Sequence, residues 1–251
     1  MSSEKSTAIV LRVVDFSETS CVVTLMTRDF GKITALAKGA RRRKSPFEAA
    51  LDVLSICRIV FLHKKNHSLD LLTEAKLDRR FRAGSYDLER LYAGYYVVEL
   101  LAGLTDESDP HQRLFDLAED TIYRLDSRQG CTSAILLRFE MGTLSILGHS
   151  PMLTQCVGCG RQRTKPDQRV SFGLNEGGIL CRSCRKGKTN VVGLSSDSWK
   201  TMVQFSSVSD NDEPAIIAEG IHLETRSVMN QYLAHLLGYC PKLQKYITKI
   251  R

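Results

Sequence analysis

Two pairs of cysteines place the strongest constraint on what this chain can fold into. Cys156 and Cys159 are separated by two residues, and Cys181 and Cys184 repeat that spacing. Each pair can hold one side of a metal ion, and two such pairs complete a tetrahedral shell of four sulfur ligands. Nothing in the sequence indicates a secreted chain, so four-thiolate zinc is favoured over two disulfides or four buried thiols. Four thiolates leave no open coordination position, and we therefore expect one structural zinc ion that performs no hydrolysis.

Glycines accompany both cysteine pairs. Gly158 and Gly160 lie in and just after the first pair, where a tight knuckle turn requires positive φ. Gly177 and Gly178 precede the second pair in the same way. We expect these glycines to allow the sharp turns that bring the thiols together.

Charge is segregated along the chain. Counting Lys and Arg against Asp and Glu gives a net charge of +6 for residues 1–80, −5 for residues 81–155 and +6 for residues 156–190, while residues 191–251 are balanced. Two basic segments around an acidic one indicate a polyanionic partner more strongly than a uniform solubilising charge would.

The first third of the chain predicts β-structure. Five short apolar or β-branched runs are separated by turn residues, at 8–14, 21–27, 33–37, 53–62 and 69–77. Five strands in so short a segment indicate a small barrel of the OB type, which binds single strands on its face and in its loops. An SH3-like barrel would give nearly the same pattern, so periodicity alone does not separate the two folds.

From residue 86 the apolar period becomes helical. We predict helices over about 86–103, from Asp109-Pro110 onward, and over 132–147, 195–205 and 224–237. The predicted fold class is α+β multidomain, with an N-terminal OB-type β-barrel, a helical bundle domain and an inserted four-cysteine zinc module. The predicted domains are an OB-fold nucleic-acid-binding domain at 1–80, a helical domain at 81–155, a zinc-ribbon module at 156–190 and C-terminal helices at 191–251 that pack on the helical domain.

The densest basic run follows the third predicted strand and reads Lys38-Gly-Ala-Arg-Arg-Arg-Lys-Ser45. It should form a loop at one end of the barrel, where its cations can neutralise phosphates and Gly39 lets the backbone approach closely. The alternative is a solvated charged loop with no specific ligand. The candidate DNA-binding residues are Lys38, Arg41, Arg42, Arg43 and Lys44, with Arg79 and Arg80 as a second cluster after the fifth strand.

Further cations surround the cysteine pairs, and the sequence leaves open whether they face DNA or only solvent. They are Arg161, Arg163, Lys165, Arg169, Arg182, Arg185, Lys186 and Lys188.

No catalytic constellation stands out. The chain has no G-x-x-x-x-G-K-[ST] segment that would cradle nucleotide phosphates. His149 lies near the first cysteine pair but lacks the H-x-E pattern of zinc deaminases. The acidic run Asp106-Glu107-Ser108-Asp109 is more typical of a solvated loop and helix cap than of a metal site. We therefore predict that the protein is not an enzyme.

Several segments occur in an order and spacing that is specific in combination. They are Lys38–Ser45, Arg138-Phe-Glu140, Leu147-Gly148, Pro151, Cys156-Val-Gly-Cys-Gly160, Phe172 and Gly177-Gly-Ile-Leu-Cys181. Together they resemble the bacterial RecO family of recombination mediators. The resemblance implies an N-terminal OB fold, a helical domain and an inserted zinc module. It also implies binding of single- and double-stranded DNA, annealing of complementary strands, and help, together with RecR, in loading the recombinase RecA onto strands coated by single-strand-binding protein.

The same resemblance implies that the acidic, apolar tail of single-strand-binding protein docks on the helical domain. Candidate contacts are Arg124, Arg128 and Arg138, although Arg138 could equally pair with a neighbouring carboxylate. The start of the chain has no apolar signal region and no apolar stretch approaches membrane-spanning length, so we expect a cytoplasmic, nucleoid-associated protein with no membrane partner. The alternative function is a zinc-ribbon DNA-binding regulator that neither anneals strands nor loads recombinase.

Overall fold

The computed structural model describes residues 2–42, 45–47, 50–63, 69–128, 130–163, 169–207 and 217–247. The chain forms two compact units, Met1–Arg128 and Gln129–Arg251. The finer division into four domains stays a prediction. Across the described ranges, no helix combines the length and apolar character that a membrane crossing would require.

Five strands of the first unit form a barrel. They are β1 (Ser2–Asp15), β2 (Cys21–Thr27), β3 (Gly31–Ala37), β4 (Ile56–His63) and β5 (Asp70–Arg79). Each strand pairs with two neighbours in the order β1-β2-β3-β5-β4, and β4 returns to β1. The β3–β5 pair is parallel and the other four pairs are antiparallel. A simple antiparallel meander has no such parallel pair, and the predicted OB-type barrel is confirmed.

The long first strand makes the barrel possible. Residues 2–9 of β1 pair with β4, and residues 8–15 pair with β2. The register with β2 shifts between Val10 and Arg12, which is a bulge of the kind that bends a strand. Alternate residues point inward and form an apolar core in which small side chains such as Ala8 and Ala35 lie among large ones such as Phe61.

Two helices follow the barrel, after a short 3-10 helix at Ala83–Ser85. They are α1 (Leu88–Leu104) and α2 (Gln112–Asp126). Asp87 caps α1 by accepting a hydrogen bond from the backbone N–H of Arg90 at 3.1 Å. At the other end of α1, the Lys32 ammonium from β3 donates to the carbonyls of Ala102 and Thr105, which would otherwise have no helical partner.

The second helix begins later than the sequence predicts. Asp109-Pro110 was the predicted start, but the first helical residue is Gln112. The Asp109 carboxylate lies 3.0 Å from the His111 ring instead of capping the helix. The Asp109 backbone also packs on Gly31, where a Cβ atom would lie only 2.3 Å from its carbonyl oxygen. This contact with the barrel holds Asp109 outside the helix.

The second unit combines helices with a small sheet. Its elements are α3 (Thr132–Ile146), β6 (Val170–Gly173), β7 (Gly178–Leu180), β8 (Val191–Leu194), α4 (Ser196–Ser207), α5 (Glu219–Leu237) and α6 (Gln244–Ile247). The sheet order is β7-β6-β8, with antiparallel pairs. Helix α5 starts at Glu219, five residues before its predicted start at Glu224. The prediction missed the first turn because Gly220 has a low helix propensity.

A buried ion pair joins two helices of this unit. The Arg226 guanidinium of α5 donates to the Glu140 carboxylate of α3, and both side chains are almost fully buried. A charge in the core needs such a partner, since removing one member of a buried pair typically costs about 3–5 kcal/mol. The pair therefore fixes how α3 and α5 pack and is a structural feature of the unit.

Candidate metal centre and nucleic-acid interface

The four cysteines predicted to bind zinc lie together in the second unit. Their Sγ atoms all lie within 4.8 Å of one another, and the Sγ atoms of Cys159 and Cys181 are 3.8 Å apart. Four sulfurs placed about 2.3 Å from a central zinc ion form a tetrahedron with edges of about 3.8 Å. A disulfide needs sulfurs about 2 Å apart, and all the cysteines are free. The group could therefore bind one metal ion.

Two similar backbone turns bring the thiols together. In the first knuckle the N–H of Gly160 donates to the carbonyl of Cys156 at 2.8 Å, and in the second the N–H of Arg185 donates to the carbonyl of Cys181 at 2.9 Å. Both bonds close a turn across one C-x-x-C pair. The spacing of the cysteines thus fixes the local geometry of each half of the centre.

Strand β7 then places one knuckle against the other. Backbone hydrogen bonds run from the N–H of Val157 to the carbonyl of Ile179 at 3.0 Å, and from the N–H of Ile179 to the carbonyl of Met152 at 2.9 Å. Strand β7 ends one residue before Cys181. The second cysteine pair is therefore delivered directly beside the first.

The glycines divide into two kinds. Gly160 and Gly177 have positive φ, as predicted, at +70° and +68°. Gly158 and Gly178 do not, and the prediction was wrong for them. These two glycines are needed because there is no room for a side chain. A Cβ atom on residue 158 would lie 3.0 Å from the Cβ of Cys184, and one on residue 178 would lie 2.6 Å from the backbone oxygen of Met152. The two knuckles can approach closely because both glycines lack a side chain.

Backbone N–H groups favour the thiolate form of two of the four cysteines. Burial alone would raise the pKa of Cys156, but hydrogen bonds from the backbone N–H groups of Cys181, Gly158 and Cys159 outweigh it and lower this pKa to about 6. The pKa of Cys181 is lowered by the backbone N–H of Cys184. Hydrogen bonds to its neighbouring sulfurs raise the pKa of Cys184 to about 12. Metal-binding thiols must lose their protons, so these N–H donors suit a cation at the centre.

The described part of the basic loop lies directly after β3. The side chains of Lys38, Arg41 and Arg42 are exposed. Gly39 has φ of +72° and turns the chain. Arg43 and Lys44 lie outside the described residues.

The loop is anchored to the turn between β1 and β2. The backbone N–H of Arg41 donates to the carbonyl of Thr19 at 3.1 Å. The Arg41 guanidinium lies 2.8 Å from the Asp15 carboxylate, and both side chains remain at least half exposed, at 51% and 69%. An exposed pair of this kind contributes about 0–1 kcal/mol, so a phosphate could replace the carboxylate.

The second predicted cluster lies in a less favourable setting for phosphate. The Arg79 guanidinium lies 4.9 Å from the centre of the Tyr123 ring. The Arg80 guanidinium lies 3.3 Å from the Asp52 carboxylate. The pocket that Arg79 lines also contains Arg28, Asp116, Glu119 and Asp120. Asp116 pairs with Arg28 at 2.9 Å and Asp120 with Arg124 at 2.7 Å. Both Arg79 and Arg80 are exposed, but the carboxylates beside them compete with phosphate for their charge.

An exposed aromatic side chain beside the basic loop was missed in the sequence. Phe16, in the turn between β1 and β2, is 64% exposed. Its backbone N–H donates to the carbonyl of Ser20 at 3.0 Å, and the Ser20 hydroxyl accepts from the backbone N–H of Gly39 at 3.3 Å. Single-strand-binding OB folds stack bases on aromatic side chains in basic grooves. A lone aromatic within a polar turn, Asp15-Phe-Ser-Glu-Thr-Ser20, was the available signal.

The acidic run between α1 and α2 makes structural contacts. The hydroxyl of Thr34 in β3 donates to the Glu107 carboxylate at 3.0 Å. The backbone N–H of Ser108 donates to the carbonyl of Lys32 at 2.9 Å. These contacts fasten the α1–α2 connection to the barrel and support its interpretation as a structural loop.

The three arginines considered for docking an acidic tail differ in availability. Arg124 binds Asp120 at 2.7 Å, and the Arg128 guanidinium lies 3.8 Å from the centre of the Tyr86 ring. Arg138 is only 8% exposed in α3. A buried guanidinium cannot meet an incoming peptide, so Arg138 is a poor candidate.

Comparison with known proteins matches both halves of the chain. Residues 1–81 match the family model described as Recombination protein O N terminal, and residues 85–242 match Recombination protein O C terminal. The DNA repair protein RecO of Rhodopirellula baltica is 40% identical over 263 residues, covering 96% of this chain and 97% of that protein. The DNA repair protein RecO of Anaeromyxobacter dehalogenans (strain 2CP-C) is 30% identical over 253 residues, covering 100% and 98%.

Proposed function

We propose that this chain, which belongs to the RecO family of DNA repair proteins, is a DNA-binding recombination mediator. In this proposal it binds single- and double-stranded DNA and anneals complementary strands. It also helps to load recombinase onto strands coated by single-strand-binding protein, and it does so without nucleotide hydrolysis.

The observation that carries the proposal is the pairing of an exposed basic loop with an exposed aromatic ring at one end of the barrel. Lys38, Arg41 and Arg42 can neutralise successive phosphates, and Phe16 offers a face on which a base can stack. Neither contact reads base edges, so binding should be largely independent of sequence. Arg43 and Lys44 extend the same run of charge in the sequence.

This chemistry supports annealing. Two complementary strands repel each other through their phosphates, and a basic surface lowers that repulsion by replacing condensed counterions. Stacking on an aromatic ring holds a base out of its own strand's stack while leaving its pairing edge open. A protein with both features can present one strand to another without hydrolysing a nucleotide.

The four cysteines would hold one structural zinc ion. Soft thiolates in tetrahedral geometry suit zinc, and four of them leave no position for a substrate. The ion would supply folding energy to the module around the knuckles and no reaction chemistry. Arg79 and Arg80 remain proposed DNA contacts of lower weight because of the carboxylates beside them.

The proposed partners follow from the family. They are RecR, single-strand-binding protein and, indirectly, the recombinase RecA, and the proposed location is the cytoplasm in association with the nucleoid.

An annealing assay tests this function against the alternative of a DNA-binding regulator. Complementary labelled strands would be mixed with and without the protein, first bare and then coated by single-strand-binding protein. A mediator accelerates annealing in both cases, whereas a regulator that only binds DNA accelerates neither. Acceleration of neither reaction by folded, metal-loaded protein would refute the proposal.

Phe16→Ala tests the role of the aromatic ring. Stacking on an aromatic residue is worth about 1–3 kcal/mol per base, so we expect a loss of about 5- to 150-fold in single-strand affinity. Duplex affinity and the salt dependence of binding should change little, because no charge is removed. Phe16→Trp is the matched control and should keep single-strand affinity. Fluorescence anisotropy with a labelled thymine strand measures all three proteins, and equal affinities would show that Phe16 does not stack.

A further inference from the structure

Four cations on the metal-binding knuckles have no side-chain partner within the described ranges. Their side chains are exposed, and no ion pair or hydrogen bond of these side chains exists in the described part of the chain. Two neighbouring cations differ: Lys188 lies 3.0 Å from Glu176, and Arg169 lies 3.7 Å from Glu224. We call the unpaired group the knuckle cations: Arg161, Arg182, Arg185 and Lys186.

The geometry of the metal centre brings the backbone positions of these four cations close together. Arg182 lies between the two cysteines of the second pair, and Arg185 and Lys186 follow that pair directly. Arg161 lies two residues after Cys159, and all four sulfurs are within 4.8 Å of one another. Because consecutive Cα atoms are about 3.8 Å apart, each knuckle cation is anchored within two residues of the cluster.

The cysteine cluster offsets only part of this charge. Four thiolates around a divalent ion would carry a net double negative charge, which two of the four knuckle cations would offset. The two knuckles themselves, Cys156–Gln162 and Cys181–Lys188, contain no Asp or Glu. The exposed surface therefore keeps an excess of positive charge that is available to a polyanion.

The surface suits a phosphate backbone better than bases. The knuckles contain no aromatic residue. The nearby Trp199 is engaged, since its Nε1 donates to the Leu153 carbonyl at 2.8 Å and the Arg163 guanidinium lies 4.9 Å from its ring centre. Guanidinium groups bind phosphate bidentately, and three of the four knuckle cations are arginines.

We propose that the knuckle cations form a second nucleic-acid site, which binds the phosphate backbone of a strand other than the one held by the basic loop. The two sites lie in different compact units, Met1–Arg128 and Gln129–Arg251. One protein chain can then hold two strands at once, which is what annealing requires. This inference rests on the DNA-binding function proposed above and adds to it the site of the second strand.

A strand-bridging experiment tests the second site apart from annealing. Two thymine strands, which cannot pair with each other, would carry a donor and an acceptor dye, and the parent protein should bring them together and give energy transfer. The variant Arg161→Gln, Arg182→Gln, Arg185→Gln, Lys186→Gln should lose the transfer while still binding a single labelled strand through the barrel. The control variant Arg161→Lys, Arg182→Lys, Arg185→Lys preserves the charge and should preserve the energy transfer.

The outcomes separate this inference from the proposed function. Failure of the parent protein to bind a thymine strand refutes DNA binding altogether. Unchanged energy transfer in a Gln variant that keeps its zinc refutes only the second site, and shows that the cations balance the cluster or that bridging arises from two copies of the chain. If the Gln variant keeps the energy transfer but binds polyglutamate more weakly than the parent protein does, the knuckle cations bind an acidic protein segment instead of a strand. If the Gln variant releases zinc, the double variant Arg161→Gln, Lys186→Gln decides, since neither residue lies inside a C-x-x-C pair.

Discussion

Replacing Arg41, Arg42 and Arg43 together by Ala will flatten the salt dependence of DNA binding. Each neutralised phosphate contributes a slope of about −0.9 on duplex and about −0.7 on single strands, so three lost contacts remove up to about 2.7 and 2.1 units. Affinity should fall for all sequences alike, because contacts to phosphate carry no sequence information. Titrations at a series of salt concentrations, followed by anisotropy, measure the slope directly.

Two matched variants sharpen this result. Replacing the same three arginines by Lys keeps the charge, and the slope should stay close to that of the parent protein. Asp15→Asn removes the carboxylate that lies 2.8 Å from the Arg41 guanidinium. We expect Asp15→Asn to raise affinity for DNA, since Arg41 would no longer have to break an ion pair with Asp15 before it binds a phosphate. The Ala and Asn variants should thus shift binding in opposite directions.

A solvated loop predicts a different pattern. In that case the Ala variant would keep the parent's slope, and Asp15→Asn would have no effect on DNA binding. The Ala variant must first melt like the parent, so that lost affinity is not lost folding. With normal melting and an unchanged slope, the loop is not the DNA site.

Features set by neighbours in sequence were predictable. The two C-x-x-C pairs specify their own knuckles, because a turn across two residues is a local event. Strands β2 to β5 were predicted within about three residues at each end, since alternation of apolar side chains and turn residues is also local. The first six residues of β1, residues 2–7, are mostly polar and were missed. The pairing of the strands was not predicted, because the parallel β3–β5 contact depends on residues far apart in the chain.

The failures share that long-range cause. The start of α2 moved because Gly31 in the barrel packs on Asp109. The setting of Arg79 depends on carboxylates of α2, which lie about forty residues further along the chain. Gly158 is required by Cys184 in the opposite knuckle and not by its own φ. The position of Phe16 beside the basic loop depends on the hydrogen bond from the Gly39 N–H to the Ser20 hydroxyl. Sequence patterns find candidate side chains, and tertiary contacts decide which of them act together.

The largest structural effect should come from the cysteine cluster. We expect purified protein to carry one zinc ion per chain, and Cys156→Ser or Cys181→Ser to carry none. Binding of structural zinc supplies about 10–16 kcal/mol in small zinc-binding peptides, and this energy is coupled to folding of the module. Losing it should unfold the knuckles and β7, which the first knuckle contacts through Val157 and Ile179. Elemental analysis measures the metal content.

The single tryptophan of the chain provides a local report of that unfolding. Trp199 donates to the Leu153 carbonyl, three residues before Cys156, and the Arg163 guanidinium lies over its ring. Its emission should shift to longer wavelength in the Ser variants and when a chelator removes the ion. Cys240→Ser is the matched control, because Cys240 is exposed and outside the cluster. It should leave both zinc content and emission unchanged.

Strand binding in the same variants separates a structural ion from one that contacts DNA. The basic loop belongs to the other compact unit, so Cys156→Ser should keep the affinity of the barrel for a single thymine strand while losing strand bridging by the knuckle cations. Loss of both activities together would mean that the metal supports the whole chain. Reduced, chelator-free protein that contains no metal and shows the same Trp199 emission as the Ser variants would overturn the zinc assignment itself.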